Sequence, residues 1–141
     1  MLRYPINRNN NNKKYGNKKV CVDGILFDSK DEVKRYYELR FLERAGKVKD
    51  IKYHEEFELI PTQYETYDRF GKKGNKLKDG VRLVERAAIY TADFTYIDCE
   101  TGEKVVEDVK CEKTKTEAYV IRRKLMYKVH GIKIKEVMYG K

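Results

Sequence analysis

The sequence contains no tryptophan, only three cysteines and only two histidines. No stretch of it approaches the roughly 18 to 20 consecutive apolar residues that a membrane helix needs. The N-terminus lacks the apolar core of a signal peptide, so the expected location is the cytoplasm, with no membrane contact. Cys21, Cys99 and Cys111 are odd in number, widely spaced and not arranged as CxxC pairs near histidine, which argues against a structural zinc site. His54 and His130 stand apart from each other and from the cysteines, so packing or surface positions are expected of both. No heptad repeat or obvious dimer helix is present. Acid is missing from residues 1–19, where Arg3, Arg8, Lys13, Lys14, Lys18 and Lys19 supply six of the nine net positive charges. With its Asn9 to Asn12 run, the segment 1–18 reads as a flexible basic arm able to neutralise phosphates. A solubilising terminus would have the same composition.

What is present suits a single domain over 19–141, since two cores in so short a chain would each be poorly buried. Asp23-Gly24 between two short apolar runs predicts a β-hairpin. Ser29-Lys-Asp-Glu32 is a capping-box pattern, and Val33, Tyr36, Tyr37, Arg40 and Phe41 follow at helical spacing, so a helix is expected over 30–45. Residues 49–60 read as one or two strands ending at Pro61. The segment 64–80 has no clear period and is expected to be a mobile loop. Its Gly71-Lys-Lys-Gly-Asn-Lys run lacks the order of a nucleotide-binding phosphate loop. Extended structure is expected from 83 to 98, a turn at 99–102, and a returning strand over 104–110. A helix over 115–130, with Ala118, Ile121, Leu125 and Val129 as its apolar stripe, precedes a last strand at 132–138. The expected fold is α/β (α+β), a mixed central β-sheet flanked by helices.

The chemistry is concentrated around that turn. Alternate residues of a strand share a face, so Asp108 and Lys110 project together while Glu107 and Val109 point the other way. If 99–102 is the turn, Asp98 opposes Glu103, and counting back along the ladder sets Asp93 across from Asp108. Directly opposed side chains lie about 5 Å apart, where two carboxylates repel by about 3 kcal/mol at an effective dielectric of about 20. Lys110 answers part of that charge. A hard divalent cation, taking one or two carboxylates with water and phosphate oxygens, answers it better. On spacing alone an ordinary cross-strand ion pair remains open.

These residues resemble the plan of the PD-(D/E)XK nuclease superfamily. The matching stretches are Phe27-Asp-Ser-Lys-Asp-Glu32, Tyr90-Thr-Ala-Asp93 and Val106-Glu-Asp108-Val-Lys110. The chain looks most like a phage-borne family of small nuclease-like domains, over roughly residues 20–137. That resemblance implies a restriction-endonuclease-like core, with Asp93 and Asp108 as ligands of Mg²⁺ or Mn²⁺ and Lys110 as the catalytic lysine. It also implies Glu32 as the helix-borne acid of the metal site, although as the third residue of a capping box Glu32 has a structural task already. Ala92 stands where the superfamily's proline would be, His54 where relatives carry glutamine, and Cys111 where glycine is frequent.

Lys113, Lys115, Arg122, Arg123, Lys124 and Lys128 lie on or before the final helix. With Lys13, Lys14, Lys18 and Lys19 of the arm, the first four make up the expected DNA-binding set. The sequence therefore reads as a Mg²⁺-dependent deoxyribonuclease, an endonuclease on structured DNA in phage replication or recombination, with a homodimer left open. The alternative is a non-catalytic DNA-binding accessory protein retaining the nuclease fold.

Overall fold

A computed structural model describes residues 18–139 of the chain. Strands β1 (Val20–Val22) and β2 (Ile25–Phe27) form the expected hairpin, with Asp23 and Gly24 at φ of 51° and 78° in its turn. Both angles are positive, as a type I′ turn requires. Helix α1 (Lys30–Arg44) starts on Ser29, whose side chain accepts the N–H of Glu32. Strands β3 (Val48–Tyr53) and β4 (Glu56–Ile60) follow, then β5 (Gln63–Phe70), β6 (Lys76–Glu85), β7 (Ala88–Thr91), β8 (Phe94–Asp98) and β9 (Lys104–Lys110). A single 3-10 turn at Glu112–Thr114 leads into α2 (Glu117–His130), which Gly131 closes in the left-handed conformation at φ 68°. Strand β10 (Lys135–Met138) ends the described chain.

The fold is α+β, and its central sheet is mixed in the order β10-β9-β8-β3, with β10 parallel to β9 and the other pairs antiparallel. Strands β4 and β7 pair beside it, and β5 and β6 pair only with each other. Side-chain alternation along β9 divides the core in two. Val109 joins Phe27, Tyr36, Leu39, Val48, Phe94 and Tyr96 beneath α1. Val106, on the other face, joins Leu59, Tyr90, Ala92, Tyr119 and Met126 beneath α2. Each large side chain buried this way contributes about 1.5 to 3 kcal/mol.

Three expectations are corrected. Residues 64–80 are not a loop: they form most of the β5–β6 ribbon. Bulges between Gln63 and Tyr64 and between Tyr67 and Arg69 shift its phase, which erases the period-two pattern. Helix α1 buries Glu32, Tyr36 and Leu39, whereas Tyr37 and Phe41 are exposed. Helix α2 buries Tyr119 and Met126, while Ile121 and Val129 are exposed. In both helices the buried stripe is rotated from the one hydrophobicity suggested, because the contact with the sheet sets it. No helix of the described residues is long and apolar enough to cross a membrane.

Candidate active site

The β8–β9 ladder decides whether the acids meet. Phe94 pairs with Glu107, Thr95 with Val106, Tyr96 with Val105 and Ile97 with Lys104. At the turn the Asp98 N–H donates to the Glu103 carbonyl at 2.9 Å, so the register counted from the sequence is the one adopted. One step beyond the last ladder pair, Asp93 faces Asp108. The Val109 N–H donates to Asp93 Oδ2 at 2.8 Å, which fixes the carboxylate against the neighbouring strand. Asp108 is 2% exposed. Lys110 Nζ lies 3.3 Å from Asp108 Oδ2 and 4.5 Å from the centre of the Tyr119 ring. Ion pair and ring together hold the ammonium in one place.

Glu32 reaches the same cleft from the first turn of α1. Its N–H donates to Ser29 Oγ at 3.2 Å, while its carboxylate accepts the Asp28 N–H at 3.1 Å. The reach back to Asp28 rather than to Ser29 makes this a displaced capping box, with the carboxylate turned toward the sheet. Burial raises the proton affinity of Glu32, and the negative charges of Asp28 and Asp108 add to it. Asp93 is shifted upward more strongly, by burial first, then by the charge and hydrogen bonding of Asp108, with the Val109 N–H opposing. Such a pair holds a proton until something positive replaces it.

Glu32, Asp93, Asp108 and Lys110 line one open cleft of about 530 Å³, so the four residues singled out from the sequence are brought together. Among the described residues no group of three or more His, Cys, Asp or Glu is gathered tightly enough to hold an ion. The tightest donor set is the Asp93–Asp108 pair, with Glu32 beside it. Two carboxylates suit a hard cation that completes its shell with water and phosphate. No cysteine is among the described residues that line the cleft, so a thiolate-bound zinc has no ligands there.

Two further cleft residues receive no role from the sequence. The Nε2 of His54 and the hydroxyl of Tyr90 are buried and make no well-formed hydrogen bond among the described residues, although the Tyr90 hydroxyl lies beside the Asp108 carboxylate. Buried polar atoms are nearly always satisfied, so these two are exceptions confined to the cleft. His54 also adopts φ of 55°, and its N–H donates to the Asp93 carbonyl at 3.3 Å. The one signal for His54 is that it stands where relatives of the resembled family carry glutamine; as a histidine alone it is expected to pack or lie at the surface. Tyr90 opens the matching stretch that ends at Asp93, but nothing in the sequence gives it a role of its own.

The expected DNA-binding residues divide. Lys13 and Lys14 lie outside the described residues. Lys18 lines a recess next to Lys110, and Lys19 is 3.5 Å from Asp28. Lys113 is exposed, and Arg122 lines the cleft itself. Lys115 and Arg123 instead hold Glu136, at 2.9 and 2.6 Å, together with the Tyr119 hydroxyl at 3.0 Å. Burial works against the charge of Glu136, yet Lys115, Arg123 and Tyr119 bring its pKa down to about 2. Arg123 thereby ties α2, and Lys115 the turn before it, to β10.

The family described as "Protein of unknown function (DUF1064)" matches residues 12–139. No curated protein and no solved structure matches the chain.

Proposed function

We propose that this chain, which belongs to the DUF1064 family of proteins of unknown function, is a divalent-metal-dependent deoxyribonuclease with Asp93, Asp108, Lys110 and Glu32 at its centre. The observation that carries the reading is the charge imbalance of the cleft: two packed carboxylates face each other, with one ammonium at their edge. Its likeness to the PD-(D/E)XK plan supports the choice of reaction.

Asp93 and Asp108 would hold Mg²⁺ or Mn²⁺, with Glu32 alongside. When bound, the cation supplies charge that polarises a phosphate and acidifies nearby water. The chain does the rest. The Val109 N–H orients Asp93, and the Asp28 N–H orients Glu32, so neither acid must reorganise when phosphate arrives. Lys110, anchored by Asp108 and the Tyr119 ring, presents a fixed positive charge to the negative charge that develops on the scissile phosphate. Arg122 at the cleft wall grips an adjacent phosphate.

The test is incubation of the purified protein with supercoiled, linear, single-stranded and four-way-junction DNA in Mg²⁺, Mn²⁺ or EDTA. Cleavage that needs metal and falls at least about 100-fold in Asp108→Asn and in Lys110→Ala is expected. If the protein binds DNA yet cuts none of these in any metal, it is an accessory that keeps the fold without the reaction.

A further inference from the structure

Between β4 and β7 the chain leaves the body of the protein as the β5–β6 ribbon, paired from Gln63↔Glu85 to Phe70↔Lys76. Every residue of both strands is exposed except Gly80, which lies under the Tyr67 ring. A lone two-stranded ribbon is marginal in water. Here cross-strand contacts hold it: Arg82 pairs with Glu65 and stands 5.4 Å from the Tyr67 ring, and Lys76 lies 3.0 Å from Asp68. A structure so exposed and so locally secured is built to meet something else.

We propose that the β5–β6 ribbon is an arm that grips duplex DNA outside the cleft, an assignment that rests on the nuclease reading. Three observations select DNA. First, charge: residues 61–86 hold seven Lys or Arg against four Asp or Glu. Three of those acids, Glu65, Asp68 and Asp79, are already paired with Arg82 or Lys76. Among the described residues Arg69, Lys72, Lys73, Lys78 and Arg86 have no carboxylate within ion-pair distance, and Lys72 and Lys73 form the tip. Second, size: at about 3.3 Å per residue the longer strand spans about 33 Å, close to one turn of B-DNA, and a two-stranded ribbon is a width that the major groove admits. Third, position: the foot of the ribbon is the Ile60↔Ala88 pair, and Ile89, Tyr90 and Thr91, the next residues of the same strand, line the cleft. Arm and cleft are therefore two ends of one hairpin, so duplex held by the arm is delivered beside Asp93 and Asp108.

The competing occupant is a second copy of this chain, seated on the exposed Tyr64, Val81 and Leu83 of one ribbon face. The experiment measures affinity for a 30-base-pair duplex by fluorescence anisotropy across a salt series in EDTA. It compares the full chain, the triple variant Lys72→Ser, Lys73→Ser, Lys78→Ser, and the charge reversal Lys72→Glu, Lys73→Glu. Circular dichroism checks that each variant folds. The triple variant is expected to bind about 10-fold or more weakly and to lose about 2 to 3 from the log–log salt slope. The reversal is expected to bind more weakly still. Unchanged affinity and slope in both variants overturn the arm, and so does conversion of a dimer to a monomer by Tyr64→Ser with Leu83→Ser while duplex binding persists. Cleavage in Mg²⁺ is read in parallel. An unmodified chain that cuts, beside variants that bind as it does, sinks the arm alone, whereas an unmodified chain that neither binds nor cuts sinks the nuclease reading and the arm with it.

Discussion

Glu107 and Asp108 are neighbours on β9 and both are buried, at 0% and 2% exposure, yet they lie on opposite faces of the sheet and in opposite circumstances. Glu107 is answered in full. Arg35 grips it with two N–H groups at 2.6 and 2.8 Å, the Tyr96 hydroxyl donates to it, and Lys135 stands at 3.4 Å. Asp108 meets another carboxylate and one lysine at the edge of a cleft. Burial and residue type are nearly shared, so neither separates an anchor from a site. Charge balance does: a compensated buried acid fastens α1 to the sheet, while an undercompensated one marks a candidate site.

The largest expected effect breaks that contrast from the anchored side. Glu107→Ala takes the buried partner from both Arg35 and the Tyr96 hydroxyl, leaving Arg35 only Glu38 among the described residues, and losing one partner of a buried pair costs about 3 to 5 kcal/mol. Asp108→Asn removes a buried charge that disfavours ionisation of Asp93 but also pairs with Lys110, two effects that oppose each other, and is expected to change metal-free stability by less than about 1 kcal/mol. Urea denaturation of the two variants reads the difference. Equal losses would mean that the two faces of β9 are both structural.

Why one face was legible and the other was not follows from distance along the chain. Asp93 meets Asp108 because a four-residue turn and a two-residue period fix the ladder, and both are local properties of 93–110. The hairpin at Asp23-Gly24 and the Ser29 cap are local in the same sense. Arg35 lies 72 residues from Glu107, and nothing near either residue names the other. The β5–β6 ribbon escaped for a different reason: exposed on both faces, it has no core to impose alternation, and two bulges shift what period there is. Helix stripes misled because Phe41 and Ile121 are apolar yet exposed, while Glu32 is charged yet turned into the site.

A smaller effect sharpens the site side through pH. Burial, then Asp108, raise the proton affinity of Asp93, so the folded chain keeps a proton that the unfolded chain has released above about pH 4. The folded state binds more protons, and metal-free stability therefore falls as pH rises from there toward the raised pKa. Asp93→Asn is expected to flatten that fall and to gain about 1 to 3 kcal/mol at neutral pH without metal. In the unmodified protein Mg²⁺ should raise the melting temperature and release a proton, and in Asp93→Asn it should do neither. Calorimetry in two buffers of different ionisation enthalpy measures the proton. A melting temperature indifferent to Mg²⁺ in both proteins would remove the cation from the cleft.

The smallest effect concerns Glu32, which belongs to both sides of the comparison. Its backbone N–H is tied to Ser29 as part of a helix cap, and its carboxylate is tied to Asp28 and faces Asp108. Ser29→Ala removes only the cap acceptor, so a loss of about 1 kcal/mol in stability is expected, with cleavage within about two-fold of the unmodified rate. Glu32→Gln keeps the side-chain length and an acceptor for the Asp28 N–H, but it removes the charge. It should leave stability nearly unchanged, because burial already disfavours that charge, while lowering metal-dependent cleavage and raising the Mg²⁺ concentration needed for half-maximal rate. If instead Glu32→Gln melts the helix as Ser29→Ala does and leaves the Mg²⁺ dependence alone, Glu32 belongs to the cap, and the site is the pair of strand carboxylates with Lys110.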